Sequence, residues 1–300
     1  MKALLILFCL GLPIAGLAEQ SPRGLVPAAK RSVEAKPAEA VPSAEQPAIP
    51  GPEKKEVPAP QAEKKPSEPD KSPTVPAAAA EGTSARFYGH AFVYLTSSSG
   101  VRVAMNPFSD EARMSYKSPS AMPVDIVLIS SESPDINGGQ SLLGLPQIFR
   151  SLTGLGANRA NGIPFRGIAT ARDRQGGSMN GVNTVYVLEM DNLRFCHLGS
   201  IGQILSRSQI QEIGRVDVLF LPVGNPRLTV SELWKLVEQT RAKWVVPVAY
   251  KTEKSGALDL RPLEDFDPGS HPVKTPGTSD YLFRESELPP VATLLPLKSP

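Results

Sequence analysis

The amino-acid sequence predicts an α/β domain that follows a long disordered segment. Two apolar runs, residues 216–223 and 244–248, have the composition of strands that are buried on both faces. A capped amphipathic segment between them predicts a helix, and this strand–helix–strand order implies a covered sheet. Residues 19–83, in contrast, are dominated by Pro, Ala, Glu and Lys and cannot bury an apolar core.

The first 18 residues have the features of a secretory signal peptide. Lys2 supplies the positive charge, residues 3–17 are apolar but short for a membrane span, and Gly16-Leu17-Ala18 is a small-x-small cleavage site. We therefore expect a bacterial periplasmic or extracellular protein, and membrane attachment only if this segment is retained as an anchor. The predicted organisation is a signal peptide (1–18), a disordered tether (19–83) and a folded domain (84–300).

Charge and cysteine content argue against a nucleic-acid partner and against an intramolecular disulfide. The formal net charge of +2 argues against a nucleic-acid partner held by bulk charge. After cleavage of the signal peptide Cys196 is the only thiol, so an intramolecular disulfide is not possible.

The predicted elements of the folded domain follow in order. Residues 86–95 read as a strand interrupted at Gly89, with 101–105 returning as a hairpin partner. Residues 126–129 predict a buried strand, and 138–159 are expected to include a short helix. The remaining predicted strands are 165–171, 183–190, 193–198, 281–283 and 291–297.

Capping chemistry marks two helices, and a turn marks one hairpin. Ser206 with Gln209, and Thr229 with Glu232, each have the spacing of a capping box. Gly214 is expected to end the first helix. A two-residue turn at 191–192 predicts a β-hairpin.

A polar loop follows the buried strand at 126–129, which is a usual place for chemistry in an α/β protein. The loop, S-S-E-S-P-D-I, resembles the metal-binding loop T-H-x-H-x-D-H of the metallo-β-lactamase superfamily. On that pattern Ser131, Ser133 and Ile136 stand at the three His positions. Asp135 is the one ligand that is kept.

Further motifs between residues 87 and 252 carry the same resemblance. The opening hairpin is similar to the family's G-H-A and I-D-P-F motifs, with Asn106 in place of the Asp. Arg172, Ser200 and Ala249 stand where the family has a His, a metal-bridging Asp and a His. The chain most resembles the branch of ascorbate-6-phosphate lactonase and related hydrolases. The resemblance implies an αββα sandwich of two mixed sheets with helices on the outer faces, and Zn or Mn in catalytic members.

The side chains at the ligand positions lead us to expect that no metal or other cofactor is bound. The whole chain has three His residues, and Ser hydroxyls are poor zinc ligands. Two Asp residues, at 135 and 173, are too few for Mg²⁺ or Ca²⁺. We expect no catalytic residues and a degenerate site formed by Ser131, Ser133, Asp135, Ile136, Arg172, Ser200 and Ala249.

Two functional hypotheses remain open. The first is a pseudoenzyme that binds or scaffolds an envelope protein or a small ligand. The alternative is a metal-independent or residual hydrolase of a small ester, lactone or phosphorylated substrate, which would use the remaining Ser, Asp and His groups. His90, Asp173 and His197 are possible cleft residues. Arg172 is expected to replace the metal as the cation that pairs with Asp135.

Overall fold

The computed structural model of the protein describes residues 81–117 and 122–300. The predicted signal peptide and nearly all of the predicted tether lie outside the described residues, so both stay predictions. The first strand begins at Thr83, one residue before the predicted start of the folded domain.

Six strands form the first sheet, which is antiparallel on one side and parallel on the other. Its order is β12-β1-β2-β3-β4-β5. The strands are β1 (Thr83–Gly89), β2 (Phe92–Thr96), β3 (Arg102–Met105), β4 (Ile126–Leu128), β5 (Gln147–Phe149) and β12 (Asp280–Phe283).

Seven strands form the second sheet, in the order β13-β11-β10-β9-β8-β7-β6. The strands are β6 (Gly156–Ala160), β7 (Ile163–Ala171), β8 (Val182–Met190), β9 (Leu193–His197), β10 (Val218–Pro222), β11 (Trp244–Val248) and β13 (Thr293–Leu294). Apolar side chains of both sheets form one large buried cluster, in which Phe87 and Leu95 of the first sheet join Phe195 and Phe220 of the second. The two sheets therefore pack as the sandwich that the resemblance implied.

Two α-helices occur in the described residues, α1 (Arg207–Ile213) and α2 (Val230–Thr240). Both predicted capping boxes are confirmed, and Gly214 ends α1 as expected. Leu233, Leu236 and Val237 bury the apolar stripe of α2 in the main core. Neither helix is long and apolar enough to cross a membrane.

The turn between β8 and β9 is also confirmed. Asp191 and Asn192 both have left-handed backbone angles, with φ of 49° and 62°. Two consecutive residues of this kind match the twist of a two-residue hairpin, and Asp and Asn tolerate the conformation better than most side chains.

Two predicted elements differ in the structure. The interrupted strand at 86–95 is a tight hairpin, because Gly89 (φ 97°) and His90 (φ 49°) turn the chain back on itself. Here His90 lies at the hairpin tip. The short helix expected within 138–159 is only a 3-10 turn, Gly139–Ser141, and the chain then forms the strands β5 and β6. Two consecutive glycines disfavour an α-helix at this point.

Candidate functional site

Loops that follow five strands meet the tip of the first hairpin and form a cleft of about 210 Å³. The loops after β4, β7, β9, β10 and β11 each contribute side chains to it. The residues predicted from the sequence that line the cleft are His90, Ser133, Asp135, Arg172, Ser200 and Ala249.

The remaining two residues of the degenerate site lie below the cleft surface. Ile136 is fully buried and forms a small apolar cluster with Ala91 and Ala249. Ser131 is 2% exposed. An apolar side chain at a position where the family has a metal ligand excludes water from the floor of the cleft and lowers the local dielectric.

The carboxylate of Asp135 has His90 as its partner. His90 Nε2 lies 3.0 Å from Asp135 Oδ2, and Ser133 Oγ donates to Asp135 Oδ1. Burial acts to raise the pKa of Asp135, but the hydrogen bonds from His90 and Ser133 and the nearby Arg172 outweigh it and hold this pKa at about 2. Because the ionised carboxylate can only accept, His90 Nε2 is the donor in this pair.

The backbone holds His90 in place as well. The amide of Ala249 donates to the carbonyl of His90 at 2.6 Å, which ties the hairpin tip to the loop after β11. The imidazole is 3% exposed, and its Nδ1 is buried with no hydrogen-bond partner.

Arg172 lines the cleft but does not form the ion pair with Asp135 that we expected. Among the described residues no carboxylate lies within salt-bridge distance of its guanidinium, because His90 has taken the place beside Asp135. Its Nε is buried and unpaired. Burial lowers the pKa of Arg172 and the neighbouring Arg227 adds to this effect, while Asp135 opposes it.

Sequence reasoning missed several residues of the cleft, among them Asn225 and Arg227. The Asn225 side chain accepts from the Arg227 amide at 3.0 Å and donates to the carbonyl of Ile201 at 2.5 Å, which fixes the loop after β10. The signal was present, since these polar residues follow a buried strand just as the 130–136 loop does.

His197 is a structural brace behind the cleft. Its Nε2 donates to the carbonyl of Ala91 at 2.9 Å, while Nδ1 accepts from the amide of Gly199 at 3.0 Å. Asn106 Nδ2 lies 3.2 Å from the same Nδ1, and Asn106 Oδ1 accepts from the amide of Ser130. Burial lowers the pKa of His197 to about 4, so the ring is neutral and joins the two sheets.

Asp173 also points away from the cleft. Its carboxylate accepts four backbone amides, those of Gln175, Gly177, Met179 and Asn180, at 2.6 to 3.0 Å. These bonds lower the pKa of Asp173 although burial opposes them. Asp173 therefore orders the loop that begins with Arg172.

Unsatisfied polar atoms are concentrated at this site. In residues 81–117 and 122–300, four buried side-chain nitrogen or oxygen atoms lack a hydrogen-bond partner. They are His90 Nδ1, Ser130 Oγ, Ser131 Oγ and Arg172 Nε. Buried polar atoms are normally hydrogen-bonded, and exceptions often mark a place where water, an ion or a ligand binds.

Comparison with known proteins identifies the family. The family described as a beta-lactamase superfamily domain matches residues 84–249. A UPF0173 metal-dependent hydrolase of Archaeoglobus fulgidus is 28% identical over 92 residues, which are 30% of this chain and 40% of that relative. The crystal structure of a putative Zn-dependent hydrolase of the metallo-β-lactamase superfamily from Thermotoga maritima has a TM-score of 0.56 and 24% identity. That match covers 72% of this chain and all of the other.

These relatives correct the expectation that the protein has no cofactor. Both are named as metal-dependent or Zn-dependent hydrolases, which points to metal binding in proteins of this type and makes that expectation wrong. The chain spans less than half of the length of the curated relative, so that protein's activity is not transferred as a whole.

The side chains of the cleft do not fit such a metal centre. No group of three or more His, Cys, Asp or Glu side chains that could hold a metal occurs in the part of the chain that the structure describes. Arg172 and Arg227 also place positive charge in the cleft, which repels a divalent cation. The match over residues 84–249 and the αββα sandwich show that the chain belongs to the metallo-β-lactamase superfamily.

Proposed function

We propose that the protein is a secreted member of this superfamily that binds a small ligand in the cleft at the cell envelope without hydrolysing it. The observation that supports this proposal most is the chemistry of the lining. The cleft is kept, but the side chains at five of the family's ligand positions are Ser, Asp, Arg and Ala. Such groups recognise a ligand by hydrogen bonds and charge.

The serine residues of the cleft support binding over nucleophilic catalysis. A serine nucleophile needs a base that takes its proton. Ser133 donates to Asp135, and no serine hydroxyl within the described ranges hydrogen-bonds to His90. The parts of a serine–histidine–aspartate site are thus close together but are not connected in the order that acyl transfer requires.

A turnover screen of the full-length protein tests this proposal. The substrates are p-nitrophenyl acetate, p-nitrophenyl phosphate and γ-butyrolactone, each with added zinc, with added manganese and with a chelator. We expect the rates to equal those of an Asp135→Asn variant under all conditions. Turnover that depends on Asp135, with or without metal, would contradict a purely binding role.

A second candidate function rests on the His90–Asp135 pair. Since Nε2 donates to Asp135, Nδ1 carries the free lone pair of a general base, and it has no partner. In this alternative a water attacks the carbonyl carbon of a small ester and gives one proton to Nδ1, and the imidazolium returns that proton to the alcohol that leaves when the acyl C–O bond breaks. Metal-free ester hydrolysis that is lost in both His90→Gln and Asp135→Asn, and retained in the surface variant Arg284→Gln, would favour this residual hydrolase.

The envelope location is part of the same proposal. Its support is the apolar N-terminal stretch with a small-x-small site, and the partner would be an envelope protein or a small ligand. Fractionation of cells that express the full-length protein should place it in the periplasm or medium, with a mature mass that lacks residues 1–18. Recovery of the uncleaved chain in the cytoplasm would contradict secretion, and recovery in the membrane would indicate a retained anchor.

A further inference from the structure

The cleft holds two guanidinium groups that no carboxylate neutralises directly. Arg172 and Arg227 both line it, and neither has a side-chain ion pair among the described residues. Other arginines of the described residues do pair with carboxylates, mostly at the surface, as Arg174 does with Glu232 at 2.7 Å. Two like charges that face one small space repel each other, and an anion between them would relieve the repulsion.

Two acidic groups also line the cleft, and the charge of Asp135 acts on Arg172 from beyond hydrogen-bond distance. Each oxygen of Asp135 accepts one hydrogen bond, from His90 or from Ser133, and neither oxygen lies within salt-bridge distance of Arg172. Asp259 is exposed and also lines the cleft.

The Nε–H of Arg172 is the donor that most clearly lacks an acceptor. It is buried, it has no partner, and it belongs to a side chain that lines the cleft. A guanidinium presents Nε–H and Nη–H as a planar fork, which matches two oxygens of a phosphate or carboxylate. A water could satisfy one of these donors but would not offset the charge.

We propose that Arg172 and Arg227 form a binding site for a phosphate-type oxyanion, either inorganic phosphate or the phosphate group of a small monoester. The cleft, at about 210 Å³, is smaller than the roughly 300–1,000 Å³ of sites for drug-sized ligands. It therefore takes the anion or one charged end of a larger molecule. This inference rests on the proposed binding function and names its ligand class.

Calorimetric titration of the full-length protein with inorganic phosphate, at constant ionic strength set with potassium chloride, tests the site. We expect saturable binding in the parent protein. Arg172→Gln and Arg227→Gln should each weaken it by about tenfold to a hundredfold, since each loses charge-assisted hydrogen bonds. Arg284→Gln is the control, because this arginine pairs with Glu287 at the surface and does not line the cleft, and the affinity of this variant should stay within about twofold of the parent.

A charge-preserving variant keeps the test decisive if Arg172→Gln does not fold. Arg172→Lys retains the positive charge but not the fork, and it should bind phosphate more weakly than the parent and more tightly than any folded Gln variant. Absence of saturable phosphate binding, or equal affinity in the parent and both Arg-to-Gln variants, would overturn the inference.

A titration with a phosphate monoester distinguishes a failure of the anion site from a failure of the proposed non-hydrolytic function. p-Nitrophenyl phosphate should compete with inorganic phosphate in the parent protein and should remain intact. Competition together with release of p-nitrophenol would support the anion site and overturn the non-hydrolytic role. Failure to compete would limit the site to inorganic phosphate and overturn the monoester part of the inference.

Discussion

Acid should destabilise the folded domain through His197, and the structure gives the size of this effect. The buried, neutral imidazole has a pKa of about 4, against 6.5 for an unperturbed His. The unfolded chain therefore binds one more proton than the folded one between these two values. The contribution of His197 to the free energy of unfolding is therefore fully present above pH 6.5 and is lost as the pH drops toward 4.

The magnitude follows from the difference in pKa. A shift of one pKa unit corresponds to about 1.36 kcal/mol, so the His197 contribution is about 3 kcal/mol in all. Most of it, about 2 kcal/mol, should already be lost at a pH of about 4.8. The Asp135 contribution lies in a separate window, because its pKa falls from 3.8 to about 2 and its stabilisation is lost only in that more acidic range.

Urea unfolding of the parent and of His197→Gln at a pH of about 7.5 and of about 4.8 measures this contribution. The Gln side chain can still donate to the carbonyl of Ala91, but it does not titrate. The variant should be less stable near neutrality and should lose about 2 kcal/mol less than the parent on acidification. Equal losses in the two proteins would refute the assignment of His197 as a neutral brace.

Three further predictions concern backbone and loop positions. Gly89→Ala should lower the free energy of unfolding by about 3 kcal/mol, because its Cβ would lie 2.3 Å from the Tyr116 ring at a φ of 97°. Gly100→Ala, which also has a positive φ but meets no atom within 4 Å, should cost only about 1 kcal/mol in the same urea titration. Thr229→Ala should cost about 1 kcal/mol by loss of the capping box of α2, and an unchanged urea midpoint would contradict this. Asp173→Ala should speed amide exchange across residues 175–180 without unfolding the sandwich; unchanged protection there would mean that the carboxylate does not order the loop.

Local chemistry made several elements predictable from the sequence. The capping boxes at Ser206 and Thr229 and the turn at 191–192 each depend on side chains within a few residues of each other. Buried apolar runs likewise identified β4, β10 and β11, because strands covered on both faces need continuous apolar sequence.

Contacts between residues that are far apart in the sequence explain which features of the cleft could not be predicted. His90 and Asp135 are separated by 45 residues, and their contact depends on where the first hairpin turns back. The sequence predicted a strand interrupted at Gly89 and His90 as a possible cleft residue, but it did not show that His90 lies beside Asp135, and Arg172 was the expected partner. Arg227 was missed although it follows a buried strand, because one Arg in an exposed loop does not by itself indicate a ligand site.

The cleft is proposed to bind a small phosphorylated ligand without hydrolysing it. Phosphorus-31 NMR of p-nitrophenyl phosphate, mixed with a stoichiometric amount of the full-length protein and with zinc supplied, tests binding and hydrolysis together. We predict a broadened or shifted monoester resonance that returns to its free position in Arg172→Gln, with no inorganic phosphate formed over hours. A growing inorganic phosphate resonance that is absent with Asp135→Asn, or a monoester resonance unaffected by the parent protein, would contradict the claim.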